Sequence, residues 1–292
     1  MTYLLTNCST SSGNTGLQQC NGSPGRAERI WLVPKGTEID TKTNALLEAT
    51  WDTLFNSAKG LRGLPLPTIF NANFEQGEDT YETGWSNKQD FAHEGLDKDT
   101  YTLDKISLYN AAQLRTLNGV SWSAYIVTDK GIIKGWSDDG IVFKPFNIQD
   151  FRVGKRTAET GEAVERVPIK IVWADPNEWN NYPAVVEPTW NPLELDGIKD
   201  IYVVASSPST TGVTFTLTGY DGVPHEGAVA GDFVIYNSLL AEVTISSATE
   251  GAAGVYALLA TLPAGTYTAG LRNQPTATTK YFESPELASF TR

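Results

Sequence analysis

The chain has 292 residues, with 22 Lys and Arg against 34 Asp and Glu, a net charge of −12, and 40% hydrophobic but only 19% charged residues. That length suits one large or two ordinary domains with a real core, and the absence of any long apolar run argues against a membrane-spanning helix, as the composition does against a collagen or wholesale disorder. The acidic balance repels nucleic acid at long range and argues against a sequence-reading DNA binder.

Taken in chain order, the first residues, 1–8, are too short and lack the basic start of a secretory signal, so the protein is expected to stay in the compartment where it is made. Cys8 and Cys20 bracket a Ser- and Gly-rich loop. A disulfide outside a reducing cytosol and two free thiols are both compatible with that spacing. Residues 44–59 place Leu47, Trp51, Leu54, Phe55 and Ala58 at helical spacing, with Gly60 as a stop, which predicts an amphipathic helix. Residues 71–100 are rich in Asn, Gly, Glu and Asp with scattered aromatics, Phe74, Tyr81, Trp85 and Phe91. A loop or long hairpin of that size is usually functional in a compact domain, and it is expected to be an arm that a partner orders.

A second helix is predicted over 103–117, carrying Leu103, Ile106, Asn110, Leu114 and Leu117 in phase and closed by Asn118 and Gly119. The period then changes to two. Residues 120–128 and 132–136 read as strands about an Asp129-Lys130-Gly131 turn, residues 141–153 as a third strand, and 164–173 as a fourth after a charged tip at 157–162. Pro168 in the fourth strand points to an edge or a bulge. The sequence Gly135-Trp136-Ser137-Asp138-Asp139 approaches a nucleophile elbow but lacks its second glycine, and its continuation is turn chemistry.

All eight tryptophans precede residue 200, and the last 92 residues are rich in Thr, Ala, Gly and Val. Two prolines and a glycine between 187 and 197 form a semi-rigid connector. The expected domains are therefore 1–197 and 198–292. In the second, strands are predicted at 201–205, 213–217, 232–237, 242–245, 254–261 and 266–272, the pattern of an immunoglobulin-type β-sandwich. The expected fold class is mainly β, with one or two helices in the first domain.

Enzyme classes shrink because the chain holds two His (His93, His225), two Cys and one Met. None shows CxxC or HxxxH spacing, and neither a Walker A loop nor GxGxxG is present. A glycosidase needs only two carboxylates at the right separation, but nothing selects a pair. The sequence is read as that of a non-enzyme, with no cofactor and no metal.

Several segments together resemble structural proteins of double-stranded DNA bacteriophages: the Cys8/Cys20 start, Ile30-Trp31-Leu32-Val33-Pro34-Lys35-Gly36, and Leu117-Asn118-Gly119-Val120-Ser121-Trp122-Ser123-Ala124-Tyr125. Residues 20–190 are similar to major tail tube proteins, in a tail-tube-like β-sandwich or barrel, and residues 200–292 to the Ig-like appendage some members carry. The resemblance implies homo-oligomeric, hexameric rings stacked into a tube in the virion tail. It also implies assembly in the host cytoplasm, contact with other tail proteins, transient non-specific passage of DNA, no membrane, and glycan contact through the Ig-like domain. Net −12 suits a conduit along which DNA slides.

The candidate oligomer-interface residues are Phe74, Tyr81, Trp85, Phe91, Trp179 and Trp190. The clustering of Trp173, Trp179, Tyr182 and Trp190 also suits a sugar platform, so a carbohydrate-binding or adhesive module is one alternative. Another virion part (decoration, head-tail connector or baseplate) is a second.

Overall fold

A computed structural model describes residues 25–57, 60–83, 89–93, 95–104, 106, 108–157, 166–219, 222–272 and 282–292. Cys8, Cys20, Trp85 and most of the charged tip at 157–162 lie outside them. The chain is mainly β. It forms two compact units, one running to Leu195 apart from Phe55–Gly60, the other comprising Asp196–Arg292 with that short segment.

The first unit contains β1 (Ala27–Pro34), α1 (Lys42–Leu46), α2 (Glu48–Phe55), β2 (Leu64–Pro65), β3 (Ile69–Glu75), β4 (Thr80–Thr83), β5 (Gln89–His93) and β6 (Lys98–Asp104). It continues with α3 (Leu108–Arg115), β7 (Trp122–Thr128), β8 (Ile133–Trp136), β9 (Phe146–Val153), β10 (Arg166–Trp173), α4 (Pro176–Asn180) and β11 (Pro183–Val186). Nine strands form one antiparallel sheet in the order β11-β8-β7-β9-β10-β6-β3, with β1 on β7 and β2 on β1, while among the described residues β4 and β5 pair with each other alone.

The sheet curls around a core that takes Ile30 and Leu32 from β1, Ala124 and Ile126 from β7, and Ile169 and Ile171 from β10. Alternation sends every second side chain inward. Strand β9 keeps Ile148 and Phe151 both inward because a bulge opposite Val172 and Trp173 resets its register. Along β7 all seven residues are buried, so its outer face also needs cover. Helices α1 and α2 supply it. Trp51 lies 5.0 Å from Trp31 and 4.9 Å, edge-on, from Tyr125, and Trp190 stacks on Trp31 at 6.4 Å. The backbone of α1 absorbs the polar edges, since Ala45 O accepts from Trp51 Nε1 and Leu46 O from Trp190 Nε1, each at 2.9 Å.

Several expectations are corrected. The helix expected over 44–59 is two helices, because the cap of α1 at Leu47 is extended, and Leu47 is half exposed rather than on the core face. The helix expected from 103 begins only at Leu108; Leu103 belongs to β6, where the backbone pairing with Val167 of β10 outweighs its helical phase. Of the loop or long hairpin expected over 71–100, the described residues form the hairpin and not a loop. Their ends are strands β3 and β6 of the main sheet, paired from Asn71↔Thr102 to Glu75↔Lys98. The strand expected over 141–153 starts only at Phe146, after a turn in which Ser137 Oγ accepts from Gly140 N and donates to Asp139 Oδ1. Pro168 sits in an interior strand, tolerated because the β9 ladder ends at Val153 and the Pro168 carbonyl only receives Gly154 N.

The second unit contains β12 (Lys199–Ser206), β13 (Gly212–Gly219), β14 (Phe233–Asn237), β15 (Ile245–Glu250), β16 (Val255–Ala260), β17 (Thr266–Leu271), β18 (Phe282–Glu283) and β19 (Ala288–Thr291). One sheet runs β15-β16-β13-β12-β18 and the other β14-β17-β19. Reading β12 to β17 and β19 as strands A to G gives D-E-B-A against C-F-G, the constant-type immunoglobulin arrangement. Phe215, Phe233, Tyr256 and Leu258 fill the space between. The strand expected at 242–245 begins instead at Ile245, while Glu242 forms only an isolated bridge to Tyr236. At the start of strand F, Tyr267 donates its hydroxyl to Pro263 O at 2.6 Å, the tyrosine corner of such sandwiches.

Two stability tests follow from this packing. Trp51→Ala should lower the stability of the first unit by about 3–5 kcal/mol, because truncation leaves a large cavity among the Trp31, Tyr125 and Phe143 rings. Tyr267→Phe should cost the second unit about 0.5–1.5 kcal/mol. Urea unfolding of the full chain, followed by tryptophan fluorescence and by far-ultraviolet circular dichroism, separates the two, since every tryptophan lies in the first unit.

Candidate functional site

Two strands of the curled sheet are not hydrogen-bonded to each other. β2 bridges β1 only at Trp31 and Leu32. Beyond that bridge the start of β1 faces β3 across an open seam, a cleft of about 1320 Å3 lined by Glu28, Phe70, Phe74, Asp97, Asp99 and Trp179 among others. β3 is the terminal strand of the sheet, so one of its edges has no strand partner among the described residues.

The inner wall is polar at its centre. Asp99 is 6% exposed, and its Oδ2 accepts from Trp173 Nε1 at 2.7 Å and from the Tyr101 hydroxyl at 2.8 Å. Burial pushes the Asp99 carboxyl above its ordinary range, against the lowering effect of those two hydrogen bonds. A second buried carboxylate locks the neighbouring helix. Asp175 caps α4 by accepting from Asn177 N, and Glu178 within it accepts from Asn147 N at 2.7 Å and Asn147 Nδ2 at 2.5 Å. Burial raises the Glu178 pKa as well. This anchoring holds Trp179 flat on Phe146, 3.7 Å between centroids and 5° between planes.

Cations near the cleft are occupied locally. Arg29 donates to the carbonyls of Leu66, Leu193 and Leu195, and Arg26 pairs with Asp129. Lys134 donates to Gly25 O, and burial lowers its pKa. On the outer rim Phe74 is 62% exposed and meets Tyr101 edge-on at 6.0 Å, while the Arg166 guanidinium covers one face of Phe70 at 3.6 Å.

From the end of this rim the chain continues as the β4–β5 hairpin. Gly77 and Gly95 cross where it leaves: a Cβ on Gly77 would lie 2.2 Å from the Gly95 carbonyl carbon, and one on Gly95 2.3 Å from that of Gly77. Asp97 Oδ1 accepts from Gly77 N, and Asp79 Oδ1 from Gly95 N.

The structure brings two of the six candidate interface residues, Phe74 and Tyr81, to exposed positions on β3 and β4. Phe91 lies in β5, its side chain outside the described residues, as is all of Trp85. Trp190 is stacked on Trp31, and Trp179, stacked on Phe146, lines the same cleft as Phe74, while both tryptophans stay half-buried. Phe70 was not among the candidates, although its spacing of four from Phe74 in an otherwise polar run was the available signal. Among the described residues no group of three or more His, Cys, Asp or Glu is placed to hold a metal ion, and no helix is long and apolar enough to cross a membrane.

No family model matches the chain, and no curated protein matches it. Among solved structures it is similar to FdeC, an adhesin of Escherichia coli, at 12% identity over 80% of this chain and 68% of that one, with a TM-score of 0.24, a level at which no common fold is established.

The raised pKa of Asp99 has a definite sign in folding. Its contribution to stability is complete below the ordinary value of 3.8 and is lost as pH rises through the higher folded value. Asp99→Asn keeps an acceptor for Trp173 and Tyr101 and removes that loss. The urea midpoint of the variant relative to the parent should therefore climb between pH 3.8 and neutrality; a constant difference would mean that Asp99 titrates as an exposed carboxyl does.

Proposed function

We propose that this chain is a virion structural protein whose first unit assembles into stacked rings, forming the tail tube of a double-stranded DNA bacteriophage, with the second unit as an Ig-like appendage. The observation that supports the reading is that β3 ends its sheet, with no strand on its outer edge among the described residues, and leads into the β4–β5 hairpin. An exposed, unpaired edge invites association unless it is covered, and closure around a ring covers it. The net charge of −12 supports a wall that does not hold phosphates. The role is structural, with assembly rather than catalysis as the activity.

One observation favours the adhesive alternative, and it concerns the second unit alone. The register places Tyr202, Val204, Thr214, Thr216, Ala257 and Thr249 on the outer side of the β15-β16-β13-β12 sheet, with Asp200 on the same face at its end. A face rich in hydroxyls with one carboxylate at its margin suits contact with a polar surface such as a glycan.

Negative-stain electron microscopy of the untagged chain at rising concentration tests the main reading. Hollow tubes with a regular axial repeat are expected, and truncation after Leu195 should leave them intact. Deleting the whole of 71–100 would remove β3 and β6 from the core sheet. Replacing only 78–94 by a short Gly-Ser turn should instead give a folded monomer that forms no tubes. Persistent monomers of the parent chain would reject the tube and favour the adhesive module, with retention on a glycan array as the positive sign.

A further inference from the structure

Alternate residues of a strand share a face, so Asp99 lies on the side of β6 that also carries Tyr101 and Leu103. Those two belong to the core. Asp99 is therefore a carboxylate on the inward side of the curled sheet, at the point where the sheet opens into the cleft between β1 and β3. Just before it, Asp97 extends the ladder with β10, its carbonyl accepting from Trp173 N at 3.0 Å, and also lines the cleft.

Two features of Asp99 stand out. Both of its donors, Trp173 Nε1 and the Tyr101 hydroxyl, go to Oδ2, which leaves Oδ1 without a hydrogen-bond partner among the described residues. Its charged neighbour is a second carboxylate, Asp97, and not a cation. A carboxylate this deeply buried is ordinarily paired with a positive group. The cations lining the cleft are engaged elsewhere: Arg29 on the Leu66, Leu193 and Leu195 carbonyls, Arg26 on Asp129, and Lys134 on Gly25 O, with Asp129 as its acidic neighbour.

We infer that the cleft is a binding site for a primary ammonium group on an alkyl stem, held by Asp99 Oδ1 with Asp97 beside it. The inference is independent of the assembly reading and adds a ligand to it. The head group follows from the acceptors. Asp99 has one oxygen already taken, and Asp97 Oδ1 already accepts from Gly77 N at 3.0 Å, so each offers a single oxygen. Three rotatable N–H donors on a compact charge match single oxygens of two carboxylates, whereas a guanidinium fork asks for both oxygens of one. A metal ion asks for more, and no three acidic, His or Cys groups among the described residues are placed to supply it. The stem follows from the walls, where half-buried Trp179 and exposed Phe74 give apolar surface. On the same rim the face of Phe70 already carries a cation, Arg166 at 3.6 Å. At about 1320 Å3 the cleft is far larger than one ammonium head, so the stem and whatever bears it lie along the seam. That bearer is either a free alkyl amine or the lysine of another protein.

Isothermal titration of the dilute full chain at neutral pH tests this, with n-pentylamine, cadaverine and N-acetyl-lysine methylamide as ligands and n-pentanol as the uncharged isostere. The amines should bind saturably and n-pentanol should not. Asp99→Asn, which keeps an acceptor for Trp173 and Tyr101, should weaken the amines about tenfold or more, as loss of a charge-assisted hydrogen bond does. Asp97→Asn, which keeps an acceptor for Gly77 N, should weaken them in the same direction. Asp150→Asn removes the same charge from a surface pair with Arg152 and should leave the affinity unchanged. Tighter binding of N-acetyl-lysine methylamide than of cadaverine would support a protein lysine as the source, and the reverse order a free amine. The inference is overturned if no amine binds saturably, or if n-pentanol binds as well as n-pentylamine. It is equally overturned if Asp99→Asn and Asp97→Asn bind the amines as the parent does, since net charge alone would then account for the attraction.

Discussion

The double-sided burial of β7 is the constraint on which the first unit depends. A strand with seven buried residues has no solvent to satisfy its backbone, so it must be paired along its length and covered on both faces. β1, β8 and β9 do the pairing. The curled sheet covers one face and the pair α1–α2, with the Trp31, Trp51, Tyr125 and Trp190 rings, covers the other. With β7 at the centre, β11 and β3 end the main path of the sheet among the described residues, and of these β3 carries the exposed aromatics.

Polar groups near the middle are tied into the same scheme. Ser123 on β7 donates to Asn147 on β9, and Asn147 donates to Glu178 on α4, so one chain of hydrogen bonds links three elements. Each buried carboxylate is supported by donors, which keeps the cost of its burial bounded without removing it. The raised pKa values of Asp99 and Glu178 express the remainder.

Much of this was legible in the sequence where one periodicity acted alone. Strands β8 and β10 and most of those of the second unit follow alternation and turn residues, because half-buried strands leave that mark, whereas β7, buried on both faces, is marked by its apolar run and the turns that bound it. β3 and β6 were hidden: Asn71, Asn73 and Asp99 are poor strand formers by propensity, and pairing with β10 and with each other makes these segments strands. Leu47 had the phase of a core residue, but a break in the helix turned it outward. For the site, Phe74 and Tyr81 were visible as aromatics in a polar segment. Trp179 and Trp190 have the same signature but are half covered by Phe146 and Trp31, because sequence gives the type of ring and not which neighbour covers it. The seam itself left no sequence signal, since it is an absence of pairing between strands more than thirty residues apart.

The crossing of Gly77 and Gly95 has a consequence for how such chains diverge. Each glycine excludes a side chain on account of the other's backbone, so neither position is free to vary while the other stays as it is. Asp79, whose carboxylate accepts from Gly95 N, adds to that restraint. Related chains should therefore hold this glycine pair fixed as a joint character, two positions nearly twenty residues apart in the chain that change together or not at all.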